Sequence, residues 1–335
     1  MNIWQKLKQN QRPFLVLAPM DDVTDTVFRE VVAAVAPADI GMTEFASSDG
    51  YAHPSGRDSV LRRLKVNPSE LEAGTPLIAQ IWGNNPDHYR QMAEDLAKRP
   101  EFAGIDINMG CPEKGIVKRG CCGGLIKEEN WDNAAAIIQA TKAGAGQLPV
   151  SVKTRIGVNR IITEEWLSHI LRQDVAALTV HGRTVKEMSK VPAHWDEIGK
   201  AVRLRDELAA NTVIIGNGDV QSRAQADELA ATYGLDGIMI GRGVLKNIQA
   251  FSKEPNGLTV NDRIDLLKRH LKLYEQTWGD TKSFDPMKKF AKLYISEFPG
   301  AADLRAEIME THSTAEALNV LEQAQRHNPE AVLAQ

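Results

Sequence analysis

The chain has 335 residues, of which 25% are charged, with a formal net charge of −4 and 3 cysteines. That length supports a large core, while so few cysteines exclude a disulfide-stapled framework and lead us to expect reduced thiols in a cytoplasmic protein. No apolar run nears the roughly 20 residues of a bilayer span, the basic start "MNIWQKLKQNQR" lacks the apolar stretch of a secretory signal, and the weakly acidic balance does not advertise nucleic-acid binding.

Short β-branched or apolar runs recur along the chain. In order they are "FLVLAP" (14–19), "IGMTEF" (40–45), "PLIAQIW" (76–82), "GIDINM" (104–109), "PVSVKTR" (149–155), "ALTVHG" (177–182), "TVIIGNG" (212–218) and "GIMIGRG" (237–243). Between them, stretches such as "PDHYRQMAEDLAKR" and "EENWDNAAAIIQATKAG" space apolar residues three or four apart, as helices do. Near-continuous apolar strands alternating with amphipathic helices make a parallel sheet covered by helices, an α/β fold. Eight such units match a closed (β/α)8 TIM barrel. A doubly wound open sheet loses, because no GxGxxG opens a helix after the first strand.

After Gly243 the pattern changes. Residues 1–250 are read as the barrel, and "FSKEPNGLTVND" (251–262) as a linker. Residues 263–335 read as an all-helical module, built from "RIDLLKRHLKLYEQTW", "DPMKKFAKLYISEF", "AADLRAEIMET" and "STAEALNVLEQAQRH". The last of these opens with a Ser/Thr-type cap and a Glu in its first turn, and "NPEAVLAQ" at the end is expected to fray. Basic patches at 57–65, 114–119, 267–272 and 287–292 could meet nucleic acid, or could be solvated faces.

Chemistry in such a barrel belongs at the C-terminal strand ends. There the sequence places Pro19-Met20, Glu44, Gln80, Asn108 with Cys111, Lys153 with Arg155, His181 with Arg183, Asn217-Gly218-Asp219 and Gly241-Arg242. "GNGD" and "GRG" end the last two strands, where small residues let backbone N–H groups approach a phosphate and Arg242 adds a charged donor. Lys153, projecting from a buried strand, must meet an anion or lose its proton. It could be a Schiff-base amine, a fixed cation beside a ligand, or half of a core ion pair. Gln80 offers a donor and an acceptor to a heteroaromatic edge. The three cysteines do not have the paired spacing of a zinc or iron–sulfur site, and a Cys111–Cys121 redox pair is a second reading. Cys121 and Cys122 read as small buried apolar residues.

Taken together, "LAPMDDVTDTVFR", "TEF", "INMGCP", "VKTRIG", "VHGRT", "IIGNGDV" and "GIMIGRG" resemble the tRNA-dihydrouridine synthases. The tail "MKKFAKLYISEFPGAADLRAEI" with "STAEAL" is similar to that family's helical RNA-binding domain, so the likeness covers nearly the whole chain. The resemblance implies a tightly bound FMN, NADPH as electron donor and reduction of the C5=C6 bond of tRNA uridines. It places Pro19, Met20, Gln80, Lys153, His181, Asn217, Gly218, Asp219, Gly241 and Arg242 at the flavin. Asn108 and Arg155 would face the uracil, Cys111 would donate its proton, and Lys114, Lys118, Lys288 and Lys289 would meet RNA. Lys114 and Lys118 should point outward, since nearby cations would lower the Cys111 pKa. A monomer is expected, with no metal and no membrane attachment. In departures from the family pattern, Asp22 stands where Gly is frequent and "MKKF" where Met-Arg-Lys-His is usual. Three rivals remain: a flavin barrel reducing a small enone or pyrimidine, a Lys153 Schiff-base aldolase, and a non-catalytic RNA-binding protein.

Overall fold

The computed structural model describes residues 1–10 and 12–327. Each of the eight apolar runs forms a strand: β1 Phe14–Leu17, β2 Ile40–Met42, β3 Leu77–Trp82, β4 Phe102–Met109, β5 Val150–Arg155, β6 Ala177–His181, β7 Val213–Asn217 and β8 Gly237–Ile240. Each pairs in parallel with the next, and β8 returns to β1, so the sheet closes into the expected barrel. The run 40–45 is shorter than expected. Its strand stops at Met42, and a two-residue ribbon, Ala46–Ser47, pairs with the far end of β3.

Strand alternation sorts the side chains into two populations. Leu15, Ile105, Ile107, Val152, Leu178, Val180 and Ile214 point outward into the core shared with the helices. Phe14, Val16, Ile78, Ala177, Val213, Ile215 and Met239 point inward and fill the lower barrel. Two residues further along these inward rows come Gln80, Thr179, Asn217 and Gly241. The same inward parity on β4 and β5 gives Asp106, Asn108, Ser151, Lys153 and Arg155. One register therefore places an apolar plug below and a polar layer at the mouth.

The basic N-terminus forms the helix Ile3–Lys8, which the sequence reading did not foresee. Its Trp4 is fully buried beside Phe14, with ring centroids 6.1 Å apart, and stops the lower end of the barrel. Among the described residues, no helix is long and apolar enough to cross a membrane.

The tail is helical, with two corrections to its expected boundaries. Helix Val260–Trp278 begins inside the segment read as linker. Thr259 and Asp262 form a capping box there, each side chain accepting from the other's backbone N–H. "DPMKKFAKLYISEF" is not one helix but a 3-10 turn, Asp285–Phe290, followed by the four-residue helix Ala291–Tyr294. Pro286, early in the turn, has no N–H to donate and favours such a start. Helices Ala301–Glu310 and Thr314–His327 follow, the latter with Ser313 accepting from Glu316 N–H. The expected fraying of 328–335 falls outside the described residues.

The tail packs on the barrel beside β1 and β2. Phe290 stacks on Phe28 of helix Thr26–Val35 at 5.2 Å, and Trp278 Nε1 donates to Asp25 Oδ2 at 2.7 Å. Lys65 Nζ donates to Thr277 O at 3.2 Å and lies 4.8 Å from the Trp278 ring.

Candidate active site

A cavity of about 420 Å³ opens at the C-terminal strand ends, where the fold habitually binds ligands. Nine of the ten residues expected at a flavin line it: Pro19, Met20, Lys153, His181, Asn217, Gly218, Asp219, Gly241 and Arg242. Arg155 and Pro112 are also in its wall.

Lys153 Nζ has no hydrogen-bond or ion-pair partner among the described residues. Burial, and secondly the neighbouring Arg155 charge, pull its pKa down to about 8. His181 is pushed well below the usual imidazole range by burial and then by Arg155 and Lys153, so it is neutral. Its Nε2 lies 3.2 Å from Arg183 Nη1, an arrangement in which the guanidinium donates and the imidazole accepts. Asn217 Nδ2 donates to Met239 O at 2.9 Å, fixing that amide across β7 and β8.

The glycines of the last two strand-end loops differ in what their positions require. Gly218 has φ +138°, and a Cβ there would come within 2.6 Å of Ala193 Cβ, so only glycine fits. A Cβ on Gly241 would meet Ala18 Cβ at 3.4 Å, an ordinary contact, so this position does not by itself demand glycine. Asp219 lines the cavity and is held by protein groups. Its carboxylate is bound by Arg183, accepts Ala193 N–H at 3.0 Å and lies 3.7 Å from Arg242. Arg242 stays largely exposed. Lys246, also in the wall, was not picked out from the sequence, although it follows Arg242 by about one helical turn. Arg183 was noted only as a strand-end neighbour of His181. Met188 and Ser189, on the loop after β6, gave no signal.

Gln80 and Asn108 lie deeper than expected. Gln80 is fully buried outside the cavity wall and spends its amide on Asp106 and Asn108. Asn108 Oδ1 accepts the N–H groups of Gly110 and Cys111, both at 3.0 Å. Arg155 is likewise spent on backbone, donating to Gly110 O at 2.8 Å, Thr184 O at 3.1 Å and Met188 O at 2.9 Å. The loop carrying Cys111 is therefore tied from two sides.

Cys111 is half-buried, and burial raises its thiol pKa against the opposing influence of Arg155 and Lys153. All three cysteines are free, and Cys121 and Cys122 are buried. Lys114 and Lys118 point to solvent on the short helix Lys114–Lys118, so the cations that act on the thiol are Arg155 and Lys153.

In the tail, Lys289 is exposed and donates to Asp22 O, whereas Lys288 is mostly covered and pairs with Asp285 at 3.2 Å. Asp22 has φ +55°, which explains why glycine suits that position. Here its N–H is held by Glu44 at 2.7 Å and its carboxylate by Arg63 at 3.0 Å. Asp21, Asp22 and Glu44 are close enough to share a cation. Arg63 Nη1 already lies 2.5, 3.0 and 2.6 Å from them.

Comparison with known proteins follows the same line. The family model for dihydrouridine synthase (Dus) matches residues 16–329. The chain is 45% identical over 333 residues to "Probable tRNA-dihydrouridine synthase" of Staphylococcus aureus (strain MRSA252), covering 99% of this chain and 98% of the relative. It is 45% identical over 327 residues to "Probable tRNA-dihydrouridine synthase 2" of Bacillus subtilis (strain 168), covering 97% of each. Among solved structures, morphinone reductase in complex with tetrahydroNAD superposes with a TM-score of 0.50 at 12% identity, covering 72% of this chain and 88% of that one. At that identity the likeness shows the barrel fold. A matching family model over nearly the whole length, with relatives of equal span, places this chain in the dihydrouridine synthase family.

Proposed function

We propose that the protein reduces the C5=C6 bond of particular tRNA uridines, using FMN held in the barrel mouth and NADPH as the electron donor. One juxtaposition carries this reading: an unpaired lysine and glycine-lined anion loops meet in one strand-end cavity, and the tethered loop that reaches its wall at Pro112 carries the half-buried thiol of Cys111 next to it. The cavity fits a flavin mononucleotide chemically. Pro19, Met20, Asn217, Gly218 and Gly241 would border the ring, Lys153 would face its electron-rich edge, and Arg242 with Lys246 would take the phosphate. Asp219 would act by orienting Arg183 and Arg242. Gln80 would support this layer from below.

FMN held by these residues would supply the hydride chemistry at uracil C6. Cys111 supplies the proton to C5, so the base gains two hydrogens in all. A thiol with a raised pKa is protonated near neutrality, the state an acid needs. Asn108 and Arg155 hold the loop that aims it. His181, kept neutral with Nε2 accepting from Arg183, has its Nδ1–H left to donate a hydrogen bond without adding charge beside the base. The target base must leave its stack to reach this depth, at a cost of a few kcal/mol. Exposed Lys114, Lys118 and Lys289 would offset that cost through RNA phosphates. In this reading residues 1–250 form the catalytic domain, and the helical module within 263–335 orients the tRNA.

The test is direct. The purified chain should carry a flavin absorption spectrum, and with NADPH it should form dihydrouridine at defined positions of tRNA that lacks the modification. A colourless protein that cannot be loaded with FMN and leaves such tRNA unchanged would overturn the proposal.

A further inference from the structure

Beneath the cavity, inward-facing side chains of three adjacent strands are joined by hydrogen bonds. Asp106 is fully buried. Its Oδ1 accepts from Ser151 Oγ at 2.6 Å and its Oδ2 from Gln80 Nε2 at 2.7 Å. Gln80 Oε1 accepts from Asn108 Nδ2 at 3.0 Å, and Asn108 Oδ1 receives the N–H groups of Gly110 and Cys111. Gln80, Asp106 and Ser151 are direct cross-strand partners in register, so the barrel itself sets these contacts. None of these four side chains is in the cavity wall, and ligand contact does not explain a buried carboxylate here.

We propose that Asp106 is a positioning residue for the Cys111 loop, acting through Gln80 and Asn108. The argument is one of polarity. An ionised carboxylate only accepts hydrogen bonds, so Gln80 must turn its NH2 towards Asp106 and its oxygen away. Asn108 must answer that oxygen with its own NH2. The Asn108 oxygen is then left facing the loop, where two N–H groups need an acceptor. Without an acceptor at position 106 either amide can flip, and a flipped Asn108 would set NH2 against N–H and leave both loop donors unpaired. The consequence for catalysis rests on the proton-donor reading of Cys111; the consequence for the loop does not.

The experiment is amide hydrogen exchange in the flavin-free full-length protein, read on a peptide containing Gly110 and Cys111. Asp106→Leu and Gln80→Met should each speed exchange at those two amides by about tenfold, the loss expected for unpairing one such bond. Asp106→Asn should retain wild-type protection, because one oxygen can still accept from Gln80. Unchanged protection in both Asp106→Leu and Gln80→Met overturns the proposal, as does Asp106→Asn exchanging as fast as Asp106→Leu. Should Asp106→Leu fail to fold, Gln80→Met decides alone. In FMN-loaded enzyme, Asp106→Leu should slow uridine reduction by pre-reduced protein more than flavin reduction by NADPH, which the Asp106 charge reaches only through Lys153. Equal slowing of both half-reactions would mark a merely structural role and overturn the positioning claim. Full turnover in Cys111→Ala would defeat the proton-donor reading and leave the exchange result standing, so the two failures are separable.

Discussion

Lys153 carries a charge that no described side chain pairs with, and its pKa of about 8 lies where ordinary buffers can reach it. Near pH 7 it is mostly protonated, and by pH 9.5 mostly neutral. An anionic ligand favours the charged amine, so affinity for FMN should fall by roughly tenfold between those values. Lys153→Met should bind weakly and with little pH dependence. Flavin fluorescence titrations at the two pH values measure both, and a wild-type affinity indifferent to pH would reject the role. Asp106 works in the opposite direction. Burial raises its pKa to about 6 despite hydrogen bonds from Ser151 and Gln80 and the nearby Lys153 charge. The folded value lies above the unfolded one, so its favourable contribution is full below about pH 4 and is lost as pH climbs through 6. Asp106→Asn should flatten stability between pH 4 and 7 and add on the order of 1–3 kcal/mol at pH 7.5 in urea melts. Lys153, His181 and Asn217 were legible in the sequence because polar residues closing apolar strands have few other reasons to be there. The tie between Gln80 and Asp106 was not, since it depends on a cross-strand register that separate segments do not state.

At the scale of elements, all eight strands could be read because parallel barrel strands are buried on both faces and leave unbroken apolar runs. Boundaries misled where a cap resembled a linker. Thr259 and Asp262 lie in a Pro- and Gly-containing stretch, yet they start the longest helix of the tail. Thr259→Ala should cost about 1 kcal/mol, measured by chemical denaturation, because the Asp262 N–H loses the hydroxyl oxygen that accepts it. The run at 285–294 showed helical spacing, but a 3-10 start changes which side chains share a face. That change turns Lys288 towards Asp285 and leaves Lys289 outside. The N-terminal helix escaped notice because six residues are too short for a periodic signal.

Across the whole molecule, the tail is a packed neighbour of the barrel. Phe28, fully buried, stacks against Phe290, and His270 lies 4.7 Å from the same ring. Removing the tail would uncover this apolar face, so point substitutions are cleaner probes of RNA binding than truncation. The net charge of −4 makes local placement of cations decisive. Replacing Lys114 and Lys118 together with Ala should lower the salt dependence of tRNA affinity by roughly 1.5 logarithmic units per decade of salt. Flavin content should not change; an unaltered salt slope would remove both residues from the RNA interface.

The central claim is that a thiol and a reduced flavin act on one uracil. The most direct measurement is a single turnover with pre-reduced, FMN-loaded Cys111→Ala and tRNA. The account expects wild-type flavin retention and tRNA affinity, with dihydrouridine formation slowed by at least about 100-fold. Formation at the wild-type rate would contradict it.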